Sequence, residues 1–177
     1  MNYALEESVV DAFVAYLGGK VGGGAKVYAA PSTENIQYPA VCVRVAQMGP
    51  MNESLSWSDY LAMVVEIAII NETAAEIDEH AVVISKVRMS HALVRQSVIS
   101  ALTVKDSADT PEGLADLCDA QDLPHGLAAQ LTAMRIPGVW VSSAQPASPL
   151  AVMEVDEEHH ALVTKITVNV IAQAIEL

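Results

Sequence analysis

Between residues 4 and 17, Leu5, Val9, Phe13, Tyr16 and Leu17 recur at intervals that set them on one face of an α-helix. Glu6, Glu7 and Asp11 lie near its positive N-terminal end, and Gly18 and Gly19 follow as a stop. The three consecutive glycines Gly22 to Gly24 then predict a mobile loop over 21–25. Around Tyr38 the period switches to two. Val41, Val43 and Val45 face one way and Ala40, Cys42 and Arg44 the other, after Pro39 at a position suited to the first residue of a strand. A polar stretch over 48–58, with Gly49, Pro50, Asn52 and three serines, separates this strand from a second over 60–70 that is rich in Val and Ile. The two read as an antiparallel pair with a long connection.

Helical spacing returns from Ala74 to about Leu102, where Ile77, Ala81, Ile84, Val87, His91, Val94, Val98 and Ala101 recur at steps of three and four. A helix of about 28 residues would span roughly 42 Å, wider than a domain of this size, so one end projects or the helix breaks. Pro111, Gly113, Pro124, Gly126 and Pro137 permit only short helices over 114–120 and 126–135, the first with Thr110 as N-cap before a proline in the first turn. Val139 to Ser142 reads as a short strand and Pro146 to Pro149 as a loop. The chain then closes on a hairpin. Its second arm alternates Leu162, Thr164, Ile166, Val168 and Val170 on one face with Val163, Lys165, Thr167, Asn169 and Ile171 on the other. The predicted fold class is α+β: a mainly antiparallel sheet of about four strands (40–46, 60–70, 150–156, 161–172), with the N-terminal and long helices packed on one face.

Composition bounds this picture. With 177 residues, 52% of them hydrophobic, the chain suffices for one core, so residues 1–177 are expected to form a single domain with a helical insertion at about 103–137. Its apolar runs, Leu61 to Val65 and Ile67 to Ile70, are interrupted by Glu66 and fall far short of the roughly 20 residues that cross a bilayer. Glu6, Glu7 and Asp11 stand where a secretory leader needs a basic patch and an apolar run, which points to synthesis in a cytoplasm. Cys42 and Cys118 lack CxxC or CxH spacing and read as reduced, buried thiols. The balance of 22 acidic against 9 basic residues, a formal charge of -13, argues against tight binding of nucleic acid. The same charge suits a wall past which DNA must slide without being held.

The search for chemistry yields no catalytic centre, metal site or cofactor. His159 and His160, beside Glu157 and Glu158, are adjacent in a strand-flanked turn, so their side chains diverge and cannot share one ion. His80, His91 and His125 lack HxxxH or HExxH spacing, and no GxSxG, Walker or GxGxxG motif is present. Acidic pairs such as Glu76 with Glu79 or Asp116 with Asp119 arise freely on so acidic a chain and mark wet helix faces. One loop stands out instead. Trp57, with Leu55 and Met51, places large apolar side chains in a polar connection, where they either anchor a protein interface or fold back onto the sheet.

The order of elements carries a resemblance. A leading helix ends at a loop, and a strand opens with Tyr38-Pro39-Ala40-Val41-Cys42-Val43. A second strand runs into Asn71-Glu72 and a long helix, and a closing strand begins near His160-Ala161-Leu162. This layout resembles the tail terminator family of long-tailed phages and the related tail-to-head joining (tail completion, neck) proteins. It covers about three quarters of the chain, and residues 103–150 exceed the short link typical of the family. The resemblance implies a structural, non-enzymatic virion protein. It would assemble in the host cytoplasm as a hexameric ring, cap the tail tube and join it to the head connector, with DNA passing through unbound. Two other functions compete: a small bacterial oligomeric interaction module or chaperone, and a small hydrolase using scattered His and acidic groups.

Overall fold

The structure is a computed structural model. It describes residues 3–31, 35–50, 60–72, 81–111, 114, 123–156 and 161–175, with the backbone alone at 3–4, 81–86, 149–150 and 152–156. In chain order the elements are α1 (Tyr3–Gly18), β1 (Lys26–Ala29), β2 (Ala40–Pro50), β3 (Tyr60–Glu72), α2 (Ala81–Leu102), α3 (Gly126–Thr132), β4 (Val139–Asp156) and β5 (Ala161–Ala174). The fold is α+β, as the two hydrophobic periods predict.

The five strands form one mixed sheet in the order β1-β2-β3-β5-β4. The antiparallel pairing of β2 with β3 runs from Ala40↔Ile70 to Pro50↔Leu61, and that of β4 with β5 ends at Asp156↔Ala161, the hairpin expected from the alternation. Two features correct the four-strand expectation. Lys26–Ala29 forms a fifth strand, parallel to β2 in the register Lys26↔Ala40, in a segment too short for a period of two to register between the glycine run and Pro31. Pro146 to Pro149 is not a loop between separate strands. It lies inside β4, where the register slips between Pro146 and Ala151. A bulged edge strand tolerates proline because its outward N–H has no ladder partner to lose.

All three described helices bury their apolar stripes in one core on one face of the sheet. Leu5, Val9, Phe13 and Leu17 of α1, Val94, Val98 and Leu102 of α2, and Leu127 and Leu131 of α3 meet the inward positions of the strands there. On β3 those positions are Leu61, Met63, Val65, Ile67 and Ile69, every second residue and each at most 2% exposed. Burial of side chains of this size contributes about 1.5–3 kcal/mol each. The helices α1 and α2 are joined at their C-terminal turns, where the Tyr16 hydroxyl donates to the Ala101 carbonyl at 2.7 Å; burial raises the pKa of that phenol.

The glycine loop after α1 is tied to α2. Gly22 N–H donates to Ser97 Oγ at 3.2 Å, and at Gly23, whose φ is +74°, an added Cβ would lie 2.9 Å from Val94 Cγ2. Only glycine satisfies both the backbone angle and the close approach. Within the described residues α2 begins at Ala81; the predicted start at Ala74 lies outside them, as does all of the short helix predicted over 114–120 except Leu114.

The outer edge of the sheet at β4 is closed at one point by a side chain. The Thr132 hydroxyl, at the end of α3, donates to the Val141 carbonyl and accepts from the Val141 N–H, both at 3.1 Å. One buried hydroxyl thereby satisfies two backbone groups that an edge strand would leave unpaired.

Candidate functional site

The alternation that fills the core leaves the other residues of the same strands on a face that no described helix covers. On β3, Ala62, Val64, Glu66, Ala68 and Ile70 are only partly buried, and on β5 the same holds for Val163, Lys165, Thr167 and Ile171. At one corner, Tyr28, Ala40 and Cys42 form a small second cluster closed by Ala30 and Ile36, and the Tyr28 hydroxyl accepts the Gln37 N–H at 3.1 Å. Cys42 is the free, buried thiol that its strand position predicts, and burial raises its pKa, so it is a poor nucleophile. Cys118 lies outside the described residues.

Near the middle of this face the cross-strand partners Arg44 and Glu66 form an ion pair, with Nη2 at 2.7 Å and Nε at 2.9 Å from Oε1. Its arginine is 56% exposed, which limits the pair's stability to about 0–1 kcal/mol. Towards the end of the sheet where β2 finishes and β3 starts, the face hollows into two adjoining cavities of about 710 and 580 Å³ that share Ser143, Gln145 and Ile171. Tyr60 and Trp140 line the first, Met48 and Val64 the second. The result is a broad groove with an apolar floor and amide and hydroxyl groups along it.

The larger cavity also brings Asp106 and His125 to the same wall as Ser142 and Ser143. Nucleophilic catalysis needs the hydroxyl, base and orienting acid in hydrogen-bond reach of one another. Among the described residues no hydrogen bond joins these four. Asp106 instead has its Oδ1 only 2.8 Å from where a Cβ would stand on Gly126, whose φ is +57°, so its carboxylate closes over the first turn of α3.

The buried polar groups lie on the opposite, helix-covered face. His91 of α2 is 2% exposed and Thr164 of β5 is 0% exposed; their Nε2 and Oγ1 are 2.8 Å apart. Asn71 at the end of β3 is buried beside them, with its amide directed at the Val87 carbonyl, 3.5 Å away. The other imidazole nitrogen, Nδ1, has no protein partner among the described residues. Desolvation first, and the nearby Arg95 charge second, lower the His91 pKa, so the ring is neutral in the folded protein. The helical spacing places His91 on the inward stripe, but the sequence offers no signal for Thr164 as its partner, because that contact spans two elements.

The proposed interface residues Met51, Leu55 and Trp57 all lie outside the described residues, as do Glu157, Glu158, His159 and His160. Among the described residues no group of three His, Cys, Asp or Glu side chains converges as a metal site, and no helix is long and apolar enough to cross a membrane. No known protein family matches the chain, and no curated protein is significantly similar to it.

Proposed function

We propose that this chain is a structural assembly protein of the tail terminator kind: a ring subunit that caps a phage tail tube and joins it to the head connector. The observation that carries the reading is the sheet's second face, partly apolar and grooved, which no described helix covers while three described helices crowd the first. Large partly apolar surfaces of this kind mark contacts with other proteins. The element order that underlies the resemblance supports it as well: a leading helix, a strand from Ala40, a strand ending at Glu72, a long helix and a closing strand from Ala161. The charge of -13, repeated around a ring, would line a channel that lets DNA slide.

The test is to add the purified chain to open tail tubes assembled from a purified phage tail-tube protein. Rings at tube ends in electron micrographs, and an end to tube growth, are the expected result. Tubes that stay bare and keep elongating in excess protein would reject the reading.

A further inference from the structure

The strand β1 pairs with only the first part of its neighbour. Its four residues run beside β2 from Lys26↔Ala40 to Ala29↔Val43, whereas β2 continues to Pro50. Burial follows the pairing: Ala40 to Val43 are buried, and beyond them Arg44, Ala46 and Gln47 are exposed. Val45 belongs to the inward row of Val41 and Val43, both 0% exposed, yet it is only partly covered. The backbone agrees. The carbonyls of Pro39 and Val43 accept the N–H groups of Lys26 at 3.3 Å and Ala30 at 2.8 Å, so by alternation the N–H and C=O of Val45 turn to the same side, where no described residue bonds them. The notch so formed is a cavity of about 690 Å³ between Ala30 and Pro31 at the end of β1, Val45 of β2, and Glu6, Glu7 and Asp11 of α1. Arg44 also lines it, but is paired with Glu66. Glu7 and Asp11 are exposed, and neither makes an ion pair with a described residue.

We infer that this notch takes an extended, basic segment of another protein as an added strand on β2, with lysine or arginine at the alternate positions that face α1. Two requirements select that occupant. An open sheet edge is satisfied by another extended backbone, and the three carboxylates beside it favour cations repeated with a period of two on the helix side. A second copy of this chain does not supply them. The helix α1 carries three acids and no base, and α2 carries Lys86, Arg88 and Arg95 and no acid. Lys86 and Arg88 are the only cations of the chain two residues apart, and they are helical; the strand cations Lys26, Arg44 and Lys165 are already built into the sheet. The bulge between Val45 and Gln47 interrupts the edge, so the added ladder is short and charge decides which segments bind. The site goes beyond the tube-capping reading, because it specifies the chemistry a partner must bring whatever that partner's role.

The experiment titrates the full chain into a fluorescent hexapeptide of alternating lysine and valine and follows anisotropy. Saturable binding is expected, with the N–H of Val45 slowed in hydrogen exchange. A peptide with glutamate for lysine should bind about tenfold or more weakly. N-methylation of one alternating set of peptide amides should weaken binding about tenfold, and methylation of the other set should not, because only one edge of the peptide joins the ladder. Glu7→Gln combined with Asp11→Asn, both at exposed positions, should weaken binding about tenfold with an unchanged melting temperature. No saturation up to millimolar concentration overturns the site. Binding indifferent to N-methylation or to the double variant also overturns it, since that is the general attraction of a polycation to an acidic chain. Either failure leaves the tube-capping assay to judge the wider reading separately.

Discussion

The two faces of this sheet are made by the same strands, and they differ in kind. On the helix side, alternate residues of β3 reach at most 2% exposure and meet three helices; one residue further along, each neighbour remains partly exposed. The first face holds the molecule together and encloses its buried polar groups. The second tolerates an ion pair and a groove because water, or a partner, completes it. In a strand of period two, the buried face and the open face are thus written in alternating letters.

The sharpest way to break the comparison is to cut matched side chains from both faces. Ile67→Ala, in the covered face, should cost about 2–5 kcal/mol through lost burial and a cavity, whereas Val64→Ala on the open face should cost about 1 kcal/mol or less. Urea denaturation with an unchanged slope would register both. Equal losses would mean that the open face is packed like a core.

A smaller effect is expected at the buried polar contact. Thr164→Val removes the partner of His91 Nε2 and should cost about 1–3 kcal/mol, as an unpaired buried polar group does. The same ring sets a pH dependence. The folded pKa of His91 lies below its ordinary 6.5, so the unfolded chain takes up the proton first as pH falls. Its contribution is therefore present in full above pH 6.5 and declines as pH drops from there towards the folded pKa. Stability measured between pH 7 and 5 should decline more steeply in the wild type than in His91→Gln, and identical slopes would remove His91 from the account. The weakest effect belongs to the open face. Arg44→Leu deletes the ion pair with Glu66 and should shift stability by about 1 kcal/mol or less, less still at high salt.

Much of the covered face is legible in the sequence. The alternation of Val41, Val43 and Val45, and of Thr164, Ile166, Val168 and Val170, assigns the inward residues correctly, because one buried face imposes its period on every strand that crosses it. The stripe from Leu5 to Leu17 does the same for α1. Where packing rather than pattern decides, the sequence is silent. Lys26–Ala29 becomes a strand only because β2 lies beside it, and Pro146 lies within β4 only because that strand is at the edge. The open groove gathers Trp140, Tyr60 and Ile171 from three strands whose order no local signal contains. The charge contrast between α1 and α2, by comparison, can be read directly from the letters, and the structure adds that Met89 and Leu93 of α2 are exposed.

The position of β5 has a consequence for how the chain is made. β5 lies between β3 and β4, and its ladder with β3 runs from Tyr60↔Gln173 to Glu72↔Ala161, closing loops on the order of a hundred residues. On a ribosome, β3 therefore emerges long before the strand that will pair with it. Throughout that interval its Val- and Ile-rich edge has β2 on one side and nothing on the other, the condition under which nascent sheets pair with the wrong chain. The sheet's centre is completed only when the last described strand arrives, so translation speed over the intervening residues, and any chaperone that shields β3 meanwhile, sets how many chains reach the folded state.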